Sequence, residues 1–500
     1  MKTASAEIFR KYTTDEVFDR IKPCSSVSDM WRKVSAEYAD TVAINDGGET
    51  HTFAELESDA ALFRGLLPDG GRIGIIAPNS YGFVKAFIAA VTAGKTCLIM
   101  PAGLPAEAVY GLSMQLGLAA VVHTDETADR MSVLSKAAPN VKIISAADSG
   151  KEPVPASDVP GDVPAVIMFT GGTTGKSKGA VLSNRAFMRG TVNGCYGIKD
   201  VFGQKYLLVL PFSHVFGLIR NLMTSLYTGS TLFICRSNKD MFRDIAVFRP
   251  TIMVMVPALA EMALTLSKKF GRNMLGQDLR TIICGAAAVP PYLIREYASM
   301  GITLLPGYGL TESANLVSGN PESLKKPDSV GIMYPGMEYR IEDGELWLKG
   351  ENMMDGYIGD DNSAAYTDGW FRTGDLVRID DDGFLYITGR IKEIIVLPNG
   401  ENISPAEVEA SFSALNCVQD CELYEDKTEN GSSVLVLEVL PRMTELGKLP
   451  EEERAGRLRA MIEEVNASLP AYKRYNRLCI RDTDFPRTPA MKILRHGKKQ

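Results

Sequence analysis

Early in the chain, short apolar runs alternate with longer segments whose apolar positions recur every three or four residues. The short apolar runs lie at Arg72–Ile76, 96–100 and 119–123. The longer periodic segments between them lie at 80–93 and 105–116. Short apolar runs predict strands, and the longer segments predict amphipathic helices. This alternation indicates βαβ units, in which helices cover both faces of a parallel sheet.

The same alternation returns after residue 200 and predicts a second doubly wound sheet. Its strands and helices are expected, in chain order, at 206–210, 215–228, 231–234, 239–248, 251–255, 258–270, 281–284 and 302–305. Upstream of both sheets, residues 29–66 predict a helix, a hairpin with a Gly47-Gly48 turn, and another helix. A segment rich in Pro, Asp and Ser, 148–163, predicts a linker between the sheets.

Beyond residue 330 the pattern changes to short strands joined by turns such as Asp382-Gly383. Such a pattern is typical of a β-barrel-like or otherwise β-rich subdomain. After Arg390, a capping-box sequence at 404–407 marks the first helix of a small α+β domain. The chain is therefore predicted to have an α/β fold with more than one domain.

Composition excludes several classes of function. A net charge of −7 over 500 residues argues against nonspecific nucleic-acid binding, and 45% apolar and 23% charged residues are ordinary for a globular protein. The eight cysteines are scattered without zinc spacing, which indicates the reduced thiols of a cytoplasmic protein. The first residues lack the apolar core of a signal peptide, and no apolar run is long enough for an integral membrane segment.

The most informative stretch is the loop at 170–179, which reads TGGTTGKSKG. Its glycine N–H groups, hydroxyls and lysines suit a bound phosphate. An apolar strand precedes it, and a helix is expected to open at Ser183. A Walker A loop would need glycine where Thr170 stands, so a P-loop kinase or ATPase is the weaker alternative. A flexible surface loop is the remaining alternative.

With four later motifs, this loop resembles the adenylate-forming superfamily of acyl-CoA synthetases, nonribosomal-peptide adenylation domains and firefly luciferase. The later motifs are GYGLTE at 307–312, TGDL at 373–376, GRIK at 389–392 and PRTPAMK at 486–492. In the family they correspond to the adenine and magnesium motif, the ribose motif, the hinge and the C-terminal lysine motif. They occur here in the family's order over nearly the whole chain, so the resemblance is specific.

The resemblance implies a particular division of the chain. A large N-terminal domain, 1–389, would bind AMP and the acyl group, and would contain two doubly wound sheets and the β-barrel-like subdomain. A hinge at 390–392 would connect it to a small, mobile α+β domain at 393–500. Lys392 would be the hinge residue about which the C-terminal domain rotates between half-reactions.

The resemblance also implies a reaction. A carboxylic acid would attack ATP to give an acyl-adenylate and pyrophosphate, with Mg²⁺ as the metal. The acyl group would then pass to a thiol, for which coenzyme A is favoured. The alternative is a stand-alone adenylation enzyme that loads the phosphopantetheine of an acyl or peptidyl carrier protein. A basic cluster at Lys473, Arg474 and Arg477 could meet either thiol carrier or be a solvated face.

Site residues are carried over from the matching motifs. The catalytic residues would be Lys492, Glu312 and Thr311, with Glu312 also the Mg²⁺ ligand. The Lys492 ammonium would bridge the substrate carboxylate and the α-phosphate. The nucleotide-binding residues would be Thr170, Gly172, Thr173, Thr174, Gly175, Lys178, Gly285, Ala286, Ala287, Tyr308, Gly309, Asp375, Ile387 and Arg390. A nonenzymatic ATP sensor is disfavoured because the charged residues of these motifs are retained.

The acyl pocket is expected to be lined by His214, Val215, Gly217 and Ala314. Residues 211–217 contain no aspartate, which amino-acid-activating relatives use to bind the substrate ammonium. Most pocket candidates are small or apolar, so a fatty or aryl acid is predicted, with a role in fatty acid metabolism. A hydrolase pair of Ser213 and His214 is rejected because adjacent residues are poorly placed for a proton relay.

Overall fold

The computed structural model describes residues 2–170, 178–359, 362, 364–397, 401–427, 433–487 and 493–496. The α-helices, numbered in chain order, are α1 Asp15–Arg20, α2 Val27–Glu37, α3 Phe53–Arg64, α4 Tyr81–Thr92, α5 Ala106–Gln115, α6 Met131–Ala137, α7 Asn184–Asn193, α8 Thr224–Tyr227, α9 Met241–Phe248, α10 Pro257–Phe270, α11 Pro291–Ser299, α12 Pro405–Ser413, α13 Met443–Leu446 and α14 Glu451–Ser468. The shorter helical turns of 3₁₀ type are Ala6–Tyr12, Asp125–Arg130, Thr311–Ser313, Ile391–Glu393 and Ala471–Lys473, and a π-helix spans Phe216–Met223.

The strands, numbered in the same way, are β1 Lys2–Thr3, β2 Val42–Asp46, β3 Glu49–Thr52, β4 Arg72–Ile76, β5 Cys97–Met100, β6 Leu118–His123, β7 Lys142–Ser145, β8 Pro164–Phe169, β9 Gly179–Ser183, β10 Lys205–Leu208, β11 Thr231–Ile234, β12 Ile252–Met255, β13 Thr281–Cys284, β14 Thr303–Tyr308, β15 Ser318–Gly319, β16 Gly331–Met333, β17 Met337–Glu342, β18 Glu345–Gly350, β19 Gly356–Tyr357, β20 Tyr366–Thr367, β21 Trp370–Ile379, β22 Phe384–Arg390, β23 Ile395–Val396, β24 Asn402–Ile403, β25 Val418–Lys427, β26 Ser433–Pro441 and β27 Arg477–Ile480.

The first predicted sheet is confirmed. Its seven described strands lie in the order β19-β9-β8-β5-β4-β6-β7, with β4 to β8 parallel. Every residue of β5 is buried, because apolar clusters cover both faces of the sheet. The helix α4 begins where Ser80 accepts a hydrogen bond from the N–H of Phe83 at 3.2 Å.

The second sheet combines a parallel half with an antiparallel half. Strands β10 to β14 are parallel, and the early β2–β3 hairpin joins them at the β11 edge. Beyond β14 the pairing becomes antiparallel and continues through β15, β16, β22, β21, β18 and β17 to β1. The mixed α/β fold is therefore confirmed, whereas the β-barrel-like subdomain is corrected. The described strands of this region form an open extension of the second sheet, because β15 pairs with β14 and extends that sheet.

The sequence predicted a helix opening at Ser183 as the first element after the loop, and the structure places the strand β9 between the loop and that helix. Strand β9 pairs antiparallel with β8, so that Phe169 lies opposite Gly179. The N–H of Thr170 donates to the carbonyl oxygen of Lys178 at 2.9 Å. The helix α7 follows β9 and is capped by Ser183, as predicted. A Walker A loop connects a strand to a helix, so this β-hairpin connection excludes the P-loop alternative.

The predicted linker at 148–163 has little regular structure but is packed against the first sheet's helices. The N–H of Val154 donates to Ala61 at 2.8 Å, and the N–H of Ser157 donates to Thr92 at 2.8 Å. Buried Arg64 also donates to the Val154 carbonyl at 2.7 Å. The Pro- and Asp-rich composition therefore marks a segment held by backbone hydrogen bonds, not a flexible linker.

The predicted helix at 215–228 divides into the π-helix and α8. All residues of the π-helix are buried, including Arg220 and Asn221. Its hydrophobic pattern therefore predicts a buried helix without distinguishing a π-helix from an α-helix. Single π-helical turns are rare and occur frequently at functional sites. Among the described helices, none combines the length and apolar character that a membrane crossing requires.

The C-terminal residues pack around an apolar core of their own. Strands β25 to β27 form a small sheet, and α12 and α14 cover it, with Phe412, Leu437 and Ile462 fully buried. An ion pair joins this unit to the rest of the chain, with Arg442 Nε 2.9 Å from Glu261 Oε1. The Arg442 guanidinium also lies 3.6 Å from the ring centroid of Tyr292.

We expect Arg442→Met to loosen the contact between the C-terminal unit and the rest of the chain. Removing one partner of a buried ion pair costs about 3–5 kcal/mol, because the other charge stays buried. Limited proteolysis should then cleave residues 388–404 faster than in the wild type. The control is Lys448→Met, which removes only an exposed pair with Glu445. Equal cleavage rates for wild type and Arg442→Met would show that this pair does not hold the unit.

Candidate active site

The carboxyl ends of five parallel strands open onto one cavity of about 780 Å³. The strands are β5 and β8 of the first sheet and β10, β13 and β14 of the second. The residues at or just beyond their ends line the cavity: Pro101, Thr170, Pro211, Gly285 and Tyr308. Ligands of open α/β sheets bind in the crevice outside the carboxyl ends of the strands. The topology therefore brings motifs that lie far apart in the sequence to one place.

Most of the predicted site residues that the structure describes line this cavity. They are Thr170, Lys178, His214, Val215, Gly285, Ala286, Tyr308, Gly309, Thr311, Glu312, Arg390 and Lys392. Asp375 is not in the lining but is hydrogen-bonded to two residues that are, Tyr308 and Arg390. The structure does not place Gly217, Ala287, Ala314 or Ile387 in the lining. The predicted site residues that lie outside the described residues are Gly172, Thr173, Thr174, Gly175 and Lys492. Arg487, within the lysine motif, forms an antiparallel bridge with Ile493, which follows the motif.

Asp375, Arg390 and Tyr308 form a bonded cluster at the edge of the cavity. Asp375 and Arg390 are directly opposite each other on β21 and β22, and Arg390 Nε donates to Asp375 Oδ1 at 2.5 Å. The hydroxyl of Tyr308, at the end of β14, donates to Asp375 Oδ2. Burial, together with the Asp375 carboxylate, raises the pKa of Tyr308. Burial opposes the charge on Arg390, but Asp375 outweighs it and raises the pKa of that guanidinium.

Glu345 supports this cluster, and no sequence motif marks its role. It is buried and lines the cavity, and its Oε1 accepts from the N–H of Gly374 at 2.9 Å. Its Oε2 accepts from Arg372 at 3.1 Å and from Trp347 Nε1 at 3.1 Å. Glu345 therefore fixes the turn that carries Asp375. From the sequence alone, a single glutamate at the start of a strand is expected to be solvent-exposed. Only the structure therefore shows that Glu345 is buried and supports the cluster.

Glu312 and Lys178 mark the side of the cavity that would hold phosphates and a metal. Tyr357, which sequence reasoning also missed, donates its hydroxyl to Glu312 Oε1 at 2.6 Å. The Lys178 ammonium lies 4.8 Å from the ring centroid of Tyr357. A carboxylate is a hard oxygen ligand of the kind that Mg²⁺ prefers, and an ammonium favours the phosphate oxygens that share the metal. These residues therefore fit a magnesium–triphosphate group.

The segment that carries Glu312 has an unusual backbone. Ala314 and Asn315 have φ values of 47° and 78°, in the left-handed region that non-glycine residues rarely adopt. A Cβ on Gly309 would overlap the carbonyl oxygen of Asn315, so this close approach requires glycine. Fully buried Asn352 donates to the carbonyl oxygens of Ser313 at 3.1 Å and Leu316 at 2.9 Å. Strained backbone of this kind persists where surrounding contacts over-determine it, and it clusters at functional sites.

The predicted acyl-pocket residues divide into lining and packing positions. His214 lines the cavity, and its Nδ1 accepts from the N–H of Phe216 at 3.2 Å, which fixes the ring. A Cβ on Gly217 would overlap the Pro211 carbonyl oxygen, so this glycine serves close packing. Ala314 is fully buried against Gly190. The lining also contains Arg220 from the π-helix, which the sequence reasoning missed.

The basic cluster in the C-terminal unit is already engaged in local contacts. Lys473 Nζ pairs with Glu407 at 2.5 Å, and Arg477 pairs with Asp426. Arg474 donates to the carbonyl oxygens of Leu469 and Ala467. The arrangement therefore gives no particular support to docking of a phosphate-rich thiol carrier at this cluster.

Comparison with known proteins identifies the family. The model of the AMP-binding enzyme family matches residues 31–358, and that of the AMP-binding enzyme C-terminal domain matches residues 392–499. A 4-coumarate–CoA ligase-like protein of Arabidopsis thaliana is 28% identical over 476 residues, which cover 86% of this chain and 81% of the relative.

Solved structures share the fold at low sequence identity. An anthranilate CoA ligase in complex with anthranoyl-AMP has a TM-score of 0.81 at 19% identity, covering 94% of this chain and 95% of its own. An o-succinylbenzoate CoA synthetase from Bacillus subtilis, in complex with its acyl-adenylate intermediate, has a TM-score of 0.77 at 23% identity, covering 96% and 98%. The family model alone matches more than half of the sequence. The chain therefore belongs to the AMP-binding enzyme family.

Proposed function

We propose that the protein is an AMP-forming carboxylate–CoA ligase. In the first half-reaction a carboxylate oxygen attacks the α-phosphorus of ATP, and pyrophosphate leaves to give an acyl-adenylate. In the second, the thiol of coenzyme A attacks the acyl carbon and AMP leaves. The observation that carries the proposal is the single cavity that brings the magnesium-type site at Glu312, the cluster at Asp375 and the ring of His214 together.

The ribose would bind at the Asp375 cluster. A carboxylate has about four acceptor positions, and Tyr308 and Arg390 occupy part of them. The Tyr308 hydroxyl is hydrogen-bonded to the Asp375 carboxylate. On ribose binding, a sugar hydroxyl would replace the tyrosine hydroxyl at this carboxylate, while Arg390 would keep the carboxylate charged. Gly285, Ala286 and Gly309, which have little or no side chain, would let the adenine approach the backbone closely.

The pyrophosphate leaving group would bind at Lys178 and Thr170, which also line the cavity. Glu312 would hold Mg²⁺, whose charge would neutralise part of the negative charge that builds up as pyrophosphate leaves. The nucleophile is already an anion and needs no general base. The protein's contribution is therefore to bring anions together in a fixed geometry.

Lys492 and the domain division belong to this proposal. The separate core of the C-terminal unit supports a boundary near 390–392, with Lys392 at the hinge and in the cavity lining. A mobile unit spanning 393–500 would bring the Lys492 ammonium to the α-phosphate. Lys492 would then act together with Glu312 and Thr311 on the carboxylic acid and ATP bound in the same cavity.

Coenzyme A is the proposed thiol, and a fatty or aryl acid is the proposed substrate. Relatives include a long-chain-fatty-acid–CoA ligase of Mycobacterium bovis and an indoleacetate–CoA ligase of Aromatoleum aromaticum, and both names specify coenzyme A. Loading of a carrier protein remains the alternative, and thioester assays with both thiols separate the two. We place the enzyme in the cytoplasm, which the free thiols of all eight cysteines support.

Lys492→Ala is expected to abolish carboxylate-dependent exchange between ATP and pyrophosphate, lowering its rate at least about 100-fold. The lost ammonium can no longer stabilise the charge that develops as the carboxylate meets the α-phosphate. The control, Lys448→Ala, removes an exposed lysine of the same C-terminal unit and should leave exchange unchanged. Exchange that survives in Lys492→Ala would refute the role of this lysine, and formation of ADP in place of AMP would refute the proposed reaction.

Asp375→Asn is expected to raise the Kd for ATP at least about tenfold, measured by isothermal titration calorimetry. The amide removes the charge that balances the partly exposed Arg390, and it removes one acceptor oxygen for the ribose. A matched control exists at Asp380, which accepts from the Tyr386 hydroxyl at 3.0 Å and pairs with Lys326 at 2.7 Å, outside the cavity lining. Asp380→Asn should leave the Kd unchanged. Equal effects of the two substitutions would contradict a ribose site at Asp375.

A further inference from the structure

Arg220 is a buried cation whose counter-charge the described residues do not supply. It belongs to the π-helix Phe216–Met223, is only 2% exposed, and lines the active-site cavity. Its Nε and Nη1 atoms are enclosed and have no hydrogen-bond partner. In the part of the chain that the structure describes, no carboxylate forms an ion pair with it.

This arrangement is energetically unfavourable unless something else binds the guanidinium. Buried charges in proteins are paired or hydrogen-bonded, because an isolated ion loses its hydration without compensation. Arginine stays protonated in proteins, so deprotonation cannot remove the desolvation penalty of the buried charge. The other buried arginines show the usual solution: Arg64 pairs with Glu57 and donates to Thr92, and Arg442 pairs with Glu261.

The neighbours of Arg220 are polar but uncharged. Burial raises the pKa of Tyr206 and that of Tyr334 to about 12 each, although the nearby guanidinium opposes the shift, so both hydroxyls stay neutral. The Tyr206 hydroxyl lies beside the guanidinium without a well-formed hydrogen bond to it. Gly194 leaves room for the guanidinium, since a Cβ there would lie 3.2 Å from Nη1. The site is thus a cationic pocket with hydroxyls around it and no anion of its own.

The position of Arg220 within the cavity indicates what could neutralise it. Tyr334 and Tyr196, which also line the cavity, take no part in the contacts of Lys178, Glu312 or Asp375. Arg220 follows His214 by six residues, on the π-helix that opens just after the predicted acyl-pocket motif. A group bound at Arg220 would therefore belong to the acid and not to the nucleotide.

We propose that Arg220 binds a second carboxylate of the substrate, so that the acid activated by this enzyme is a dicarboxylic acid with an aliphatic or aryl body. This inference rests on the proposed function and specifies its substrate class. One carboxylate of the acid attacks the α-phosphorus, and the other forms an ion pair with the guanidinium. A monocarboxylic acid of the same size leaves Arg220 buried without a partner, which lowers its transition-state binding.

The test compares matched acids with the full-length enzyme, ATP and coenzyme A. A length series of α,ω-dicarboxylic acids is assayed against monocarboxylic acids of the same carbon number, and benzenedicarboxylates against toluates. Pyrophosphate release should give the best dicarboxylic acid a kcat/KM at least about 30-fold above that of its matched monocarboxylic acid. A preference for the monocarboxylic member of each pair would overturn the inference.

Arg220→Met supplies the second measurement. It keeps the length of the side chain but removes the charge, so the ratio of kcat/KM values for the best pair should fall to within about threefold of one. Arg220→Lys should retain part of the preference. Removing an unpaired buried charge should not lower the unfolding temperature of the ligand-free protein, whereas Arg64→Met, which breaks a paired one, should lower it. A wild-type preference for dicarboxylic acids that persists in Arg220→Met would also overturn the role of Arg220.

Different results would refute the substrate inference and the proposed function. If monocarboxylic acids are adenylated well and Arg220→Met changes no ratio, the substrate inference is wrong and the proposed function stands. If no acid of either kind releases pyrophosphate and yields AMP, both are wrong. The acid comparison in the wild type decides the inference even if Arg220→Met does not fold.

Discussion

The pairing of Asp375 with Arg390 is the interaction on which the nucleotide side of the site depends. The two residues face each other across β21 and β22, and the Tyr308 hydroxyl reaches the same carboxylate from β14. This one carboxylate therefore ties the parallel half of the second sheet to its antiparallel half. The Asp375 carboxylate is buried, although Arg390 is partly exposed, and a buried charge is stable only when hydrogen bonds satisfy it; Tyr308 supplies one such bond. The same group that fixes the sheet junction is left with acceptor capacity for a ribose.

The rest of the site follows from where the strands end. Parallel strands of two sheets deliver Thr170, Gly285 and Tyr308 to one cavity, so the proposed phosphate, adenine and ribose contacts would need no long loops of their own. Under the proposed function each fixed charge would have a separate task. Lys178 and Glu312 would face the phosphates and their metal, the Asp375 cluster would face the sugar, and Arg220 would face the acid. Adenylation brings anions together, and a cavity lined by several cations is suited to that problem.

The sequence predicted the parts of this molecule that depend on local pattern. The alternation of short and periodic apolar segments predicted the positions of the parallel strands accurately, and β4 and β13 have the predicted bounds. The sequence could not predict how the antiparallel strands join, because pairing partners are set by tertiary contacts; the barrel-like subdomain was therefore wrong. It also missed Glu345, Tyr357 and Arg220. Each is a single polar residue without a motif, and its role depends on burial and on neighbours distant in the chain.

The central claim is that one cavity holds the nucleotide and the acid together, with the ribose at Asp375 and the acyl group towards Arg220. A crystal structure with a non-hydrolysable acyl-sulfamoyl adenosine tests it most directly. We expect sugar hydroxyls within hydrogen-bond distance of the Asp375 carboxylate, and an acyl chain that passes His214 towards the Arg220 guanidinium. A nucleotide bound outside this cavity, or an acyl chain directed away from the π-helix, would contradict it.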